Sequence, residues 1–166
     1  INIPVIVVGN ITVGGTGKTP CVIALAEHFV RQGFYPGLIT RGYGGKQRSA
    51  KIVHASDDAG DVGDEAVLLA RRTHCPVAIG ADRVRAAKLL MQEFPDCDLI
   101  ISDDGLQHYS LQRNVEIAII DGSRNVGNGY LLPAGPLREP LSRLKEVDVV
   151  IMNGAASGSA YTMKMV

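Results

Sequence analysis

Apolar positions along this chain follow two alternating patterns. Short continuous runs occur at Val5–Val8, Gly37–Thr40, Ile52–His54, Val77–Ile79, Leu99–Ser102, Val115–Asp121 and Val147–Met152. Continuous rather than alternating hydrophobicity predicts strands buried on both faces, as in a parallel sheet covered by helices. Between the first two runs, Val22, Ala26, Phe29 and Val30 recur at helical spacing and stop at Gly33, which predicts one amphipathic helix. A second helix is predicted from about Asp61 to Arg72. A third is predicted to start at Asp82 as N-cap, carrying Val84, Ala87, Leu90, Met91 and Phe94, until Pro95 stops it. Strands alternating with helices in this way predict βαβ units in an α/β fold.

Two segments fit neither pattern, "TRGYGGKQRSA" and "GSRNVGNGYLLPAGPLREPLSRL". Both combine glycine with arginine, and long loops of ordered composition at strand ends commonly carry function. With 166 residues, 46% of them hydrophobic, the chain is long enough for one substantial core. Its 17 basic and 17 acidic residues cancel, so no general polycation attracts nucleic acid, and any anion site must be local. Cys21, Cys75 and Cys97 form no C-x-x-C pair and are expected to be packed, reduced thiols. No apolar run reaches the ~18 residues of a membrane span, and no signal peptide is recognisable. The chain opens "INIPVIVV", already in a strand-like run and without an initiator methionine, and is expected to be part of a longer protein.

The first loop carries the clearest chemistry. "GNITVGGTGKTP" follows an apolar strand and precedes a helix, the context that a phosphate-binding loop requires. Gly14, Gly15 and Gly17 free the backbone so that its N–H groups converge on phosphate oxygens at the helix N-terminus. Lys18 supplies the charge for the β/γ-phosphates, and Thr19 a hydroxyl for Mg²⁺. Thr12 stands where the strict pattern has glycine, but that position mainly eases the exit from the strand. The fold predicted is therefore of the P-loop NTPase type, in three layers with a mostly parallel central sheet. Its core is expected over residues 1–154, with 155–166 a transition to a further lobe.

Asp103 and Asp104 in "LIISDDGLQHY" end an apolar strand, on the sheet edge that the phosphate loop shares. One can hold a metal and the other orient a partner group; an ordinary Asp-Gly turn also satisfies "DDGL". Asp64 and Glu65 open a helix in "GDVGDEAVLLARR", where acids either serve the chemistry or simply favour the helix dipole. His108 can act as a base or a phosphate donor or be structural, and His28, His54 and His74 show no metal spacing. Arg41, Arg83, Arg138 and Arg143 lie in loops or at helix starts, where a guanidinium can clamp phosphate.

Taken in order, "VIVVGNITVGGTGKTP", "ITRGYGGK", "VGDEAVLLARR", "DDGLQH" and "GNGYLLPAGPLREPLSRL" resemble the tetraacyldisaccharide 4′-kinase family over roughly Ile3 to Gly154. That family transfers the γ-phosphate of ATP to the 4′-hydroxyl of an acylated glucosamine disaccharide 1-phosphate, forming lipid IVA in lipid A biosynthesis. Its setting is the cytoplasmic face of the bacterial inner membrane, so a membrane surface is an implied partner and nucleic acid is not. The cofactors implied are ATP and Mg²⁺. The resemblance implies Asp64 as base, with Asp104 and Lys18 catalytic, and Thr19, Glu65 and Asp103 at the metal. For the nucleotide it implies Thr12, Val13, Gly14, Gly15, Thr16, Gly17, Lys18 and Thr19, with Arg83 a phosphate contact; a non-glycine at Thr12 is a family trait. It further implies a second lobe, with a histidine paired to an active-site carboxylate, and an N-terminal membrane-associated segment.

Two other readings of the residues are an ATP-driven switch that binds a partner, and a non-catalytic ATP-binding fragment. A guanine-specific switch would carry N-K-x-D after a late strand, whereas Val147–Met152 runs into Asn153, Gly154, Ala155 and Ala156.

Overall fold

The computed structural model describes residues 1–46, 49–154 and 161–163. Elements follow in chain order as β1 (Val5–Gly9), α1 (Lys18–Arg31), β2 (Pro36–Thr40), β3 (Lys51–Val53), α2 (Ala59–Val62) and α3 (Asp64–Thr73). After these come β4 (Val77–Ile79), α4 (Arg83–Glu93), β5 (Leu99–Asp103), β6 (Val115–Asp121), a 3-10 helix (Leu141–Lys145), β7 (Val149–Asn153) and β8 (Tyr161–Met163). Among the described residues the strands form one eight-stranded sheet in the order β3-β4-β2-β5-β1-β6-β7-β8. Every pairing is parallel except β3 with β4, which is antiparallel at one edge.

Each central strand is buried on both faces, which accounts for its unbroken apolar run. Ile6 and Val8 of β1 face a core with Val22 and Ala26 of α1 and Ala66, Leu69 and Ala70 of α3. Their neighbours Val5 and Val7 face the opposite core, built on Ala86, Ala87 and Leu90 of α4 together with the loop residues Leu106, Leu111 and Leu137. Helices on both faces of one sheet make the three-layer α/β fold that the pattern predicts. Cys21 and Cys97 are buried, and all three cysteines are free thiols. Burial pushes the thiols of Cys21 and Cys97 up to about 11, so both stay protonated at neutral pH.

The structure refines three expectations. The helix predicted from Asp61 to Arg72 is broken at Gly63, which caps α2 and starts α3 with φ +94°. A Cβ there would lie 2.6 Å from the carbonyl oxygen of Tyr43, so the break admits the loop after β2 into close backbone contact. The last predicted strand starts two residues late, because the side chain of Asp148 accepts from Glu116 N at 2.7 Å and caps the entry. Tyr161–Met163 pairs in parallel with β7, in a stretch for which no strand is predicted. The rest of the expected transition, 155–160 and 164–166, lies outside the described residues, as do positions 47 and 48 of the first glycine-rich loop.

Candidate active site

Parallel strands end on one side of the sheet, and here those ends gather the polar motifs. The β1–β5 register sets Val8 beside Asp103, so the loop leaving β1 runs alongside the acidic pair leaving β5. Helix α1 starts at Gly17 in a left-handed conformation, with no side-chain cap and no acid in its first turn. Its first N–H groups are thereby left for an anion. Pro20 falls in that first turn, where a missing N–H costs nothing.

The loop is braced by its neighbours rather than by its own glycines alone. Asn10, fully buried, donates through Nδ2 to Thr16 Oγ1 at 3.1 Å and to Gly14 O at 3.4 Å. Val13 N donates to Pro136 O at 2.9 Å, and Arg138 N to Ile11 O at 2.7 Å. Thr12 forms an antiparallel bridge with Leu137 and is absent from the residues with left-handed φ. Glycine is therefore not required at position 12, and an extended residue is what the bridge uses. Asn153, at the end of β7, donates to Thr16 O at 3.1 Å. A Cβ on Gly17 would meet that same amide nitrogen at 2.6 Å. Arg124 ion-pairs with Asp121 at 2.8 Å and also donates to Gly15 O.

Beside this loop lie the carboxylates. Asp103 is 1% exposed; its Oδ2 accepts from Thr19 Oγ1 at 3.1 Å, and its Oδ1 has no hydrogen-bond partner. Burial, then repulsion from Glu65, raises its carboxyl to about 6, against the opposing pull of Thr19 and Lys18. Asp104 follows in the left-handed region at φ +50° and stands between two cations. Lys18 Nζ is 3.5 Å from its Oδ1, and Arg138 Nη1 is 3.1 and 3.2 Å from its two oxygens. Burial alone would raise Asp104, but Lys18 and Arg138 outweigh it and hold the carboxyl below its ordinary range.

A cleft of about 610 Å³ opens over these groups, lined by Gly14, Gly15, Lys18, Asp104 and Arg138, by Arg41, Glu65 and His108, and by Thr40, Tyr43, Gln107 and Leu132. Another hollow of about 520 Å³ lies at the opposite, amino ends of β2 and β5, around Phe34, Tyr35 and Phe94, and shares no residue with the cleft. In the cleft, burial and the cations Arg83 and Arg41 hold His108 below its ordinary range, so its imidazole is neutral at pH 7.

The expected residues do not all arrive at the cleft. Of the first acidic pair, Glu65 lines it, while Asp64, just before it, is exposed at the start of α3. Arg83 lies beneath, 1% exposed, donating to Gly80 O at 2.6 Å and tying the end of β4 to that of β5. Burial lowers its guanidinium to about 10. Arg143 is drawn away into an ion network with Glu116 at 2.6 Å and Glu139 at 3.7 Å. Sequence reasoning did not single out Gln107, whose amide donates to Asn10 O at 3.0 Å and to Glu139 at 2.7 Å. Arg124 and Asn153 escaped it for the same reason: each acts on the backbone of a distant loop, which no local motif encodes.

For Mg²⁺, the donor set fits on one observation. A buried carboxylate oxygen without a partner, beside a threonine hydroxyl, matches a hard cation that prefers oxygen and keeps most of its ligands as water and phosphate. Among the described residues no group of three or more His, Cys, Asp or Glu side chains forms an all-protein cage.

This geometry has known counterparts. The family model for tetraacyldisaccharide-1-P 4′-kinase matches residues 1–165. The chain belongs to that family. Among this kinase family's curated members, that of Methylobacillus flagellatus is 54% identical over 100% of this chain and 50% of its own length. The Nitrosococcus oceani member is 55% identical over 97% of this chain and 48% of its own. The chain thus spans about half the length of the relatives it matches. LpxK from Aquifex aeolicus, solved in complex with ATP, superposes with a TM-score of 0.84 at 30% identity, over 99% of this chain and 54% of that one. The signal recognition particle receptor FtsY of Elizabethkingia anophelis, at 18% identity and a TM-score of 0.55 over 91% of this chain and 50% of that one, shares the fold alone.

Proposed function

We propose that this chain is the nucleotide-binding part of an ATP-dependent kinase that phosphorylates the 4′-hydroxyl of tetraacyldisaccharide 1-phosphate, giving lipid IVA in lipid A biosynthesis. Its place would be the cytoplasmic face of the bacterial inner membrane. Among the described residues no helix is long and apolar enough to cross a membrane. The observation that carries the reading is the meeting, at the carboxyl ends of the strands, of an uncapped helix start, Lys18 and a carboxylate pair split by environment.

Phosphoryl transfer asks a protein mainly for positioning and charge. The N–H groups of Gly14–Thr19 receive the triphosphate, while Lys18 leaves Asp104 for the β/γ oxygens. Arg138 keeps Asp104 charged during that exchange, so Asp104 orients two cations and is poorly suited to take a proton. Bound Mg²⁺ would neutralise phosphate oxygens, held by Thr19, Asp103 and Glu65. Asp64, exposed beside Glu65, is the carboxylate left to draw the proton from the acceptor hydroxyl. Arg83 supports the β5 end that presents the acidic pair.

A general base contributes about 100-fold or more to turnover and little to nucleotide affinity. In the full-length protein, Asp64→Ala should therefore lower kcat by about 100-fold or more, with ATP affinity within about twofold. Steady-state kinetics beside calorimetric ATP titration measure both. Turnover near wild type would refute Asp64 as the base.

A further inference from the structure

A run of exposed apolar side chains reaches the cleft. Tyr130, Leu131 and Leu132 are consecutive and 65%, 47% and 53% exposed. Scattered exposed apolar side chains are ordinary, but a contiguous cluster beside a polar site marks a contact surface. The segment is not loose. Leu132 N donates to Leu137 O at 2.8 Å, Leu137 N to Tyr130 O at 3.1 Å, and Gly135 N to Leu131 O at 3.0 Å. Asn128 accepts from Tyr130 N at 3.1 Å and donates to Ala134 O at 3.0 Å. The backbone is thus closed on itself while the side chains are held out in water. Across the cleft, Tyr43 is 78% exposed, and both Tyr43 and Leu132 line the cavity that holds Lys18 and Asp104.

In that cavity Arg41 and Arg138 stand with the nucleotide's Lys18 against two lining carboxylates, Asp104 and Glu65. Cations beside exposed apolar side chains match an anionic amphiphile. We infer that the Tyr130–Leu132 segment seats an acyl chain of the phosphorylated acceptor as it leaves the cleft. This inference rests on the kinase reading above, whose acceptor is tetraacylated and carries phosphate. The chain belongs to the acceptor rather than to surrounding bilayer lipid, because Leu132 lines the same cavity as the phosphate-loop lysine.

The test uses the full-length protein with Tyr130→Ser and Leu131→Ser combined, leaving Leu132 in place, and the tetraacylated disaccharide 1-phosphate dispersed in neutral detergent. The acceptor's kcat/KM should fall about tenfold or more, chiefly through KM, because two apolar contacts are removed. The KM for ATP should stay within about twofold, and the conservative pair Tyr130→Phe and Leu131→Ile should restore wild-type behaviour. A parallel rise in the KM for ATP would overturn the inference, since the segment would then merely prop the phosphate loop through Leu137 and Pro136. Unchanged kinetics would overturn it too, and so would unchanged kinetics with weaker binding to phospholipid vesicles, which would give the surface to the bilayer. Failure of the wild type to phosphorylate this acceptor would overturn the kinase reading along with the inference.

Discussion

Asp103 shows most sharply how one residue's surroundings define its work. Buried and half-satisfied, it is held at about 6, whereas the adjacent Asp104 is stabilised as an anion by Lys18 and Arg138. Two neighbouring carboxylates are thereby given opposite proton affinities by environment alone. The raised value has a consequence for stability. Between about 3.8 and about 6 the folded protein holds a proton that the unfolded chain has released. On this group's account stability is fully present at low pH and is lost as pH rises through about 6. Asp103→Asn removes the buried charge yet keeps an oxygen for Thr19, so it should stabilise the nucleotide-free protein at about pH 8 and barely at about pH 4. Thermal denaturation of both proteins across that range measures this. An equal difference at both ends would mean that Asp103 already ionises freely in the folded state.

At the scale of elements, the strands were legible because burial on both faces forces apolar runs, unbroken in β4 and over Ile117–Ile120 in β6, and the limits of both strands match the prediction. The N-cap of α4 was legible as well: Asp82 accepts from Val84 N at 3.0 Å and Arg85 N at 3.1 Å. What could not be read was any feature set by a distant backbone. Gly63 looks like an interior helix glycine until the carbonyl of Tyr43 appears beside it. Asn153 looks like a strand end until its amide reaches Thr16. The site divides in the same way: the chemistry of Lys18, Thr19, Asp103 and Asp104 follows from their local motifs, while the bracing contacts of Gln107, Arg124 and Asn153 are made to distant backbone that no motif encodes. Gly63→Ala should combine a left-handed φ with a backbone clash and cost about 2 kcal/mol or more of unfolding free energy, read from urea titration. A loss of less than about 0.5 kcal/mol would show that the α2–α3 break is not set by this contact.

Across the whole molecule, charge is balanced at zero and the apolar strands are spent on the sheet, so function is concentrated along one sheet edge. There Lys18 of the phosphate loop, Asp104, Arg41, Arg138 and the exposed Leu132 meet in one cleft. Curated relatives run to about twice this length, and in the function proposed above the present chain would supply nucleotide binding, metal positioning and the acceptor's base. The most direct test follows the label from γ-phosphate-labelled ATP in the full-length protein supplied with tetraacyldisaccharide 1-phosphate. Labelled lipid should form in step with ADP, and both should be lost when Lys18 is replaced by alanine. ADP accompanied only by free inorganic phosphate, with no label in the lipid, would contradict it.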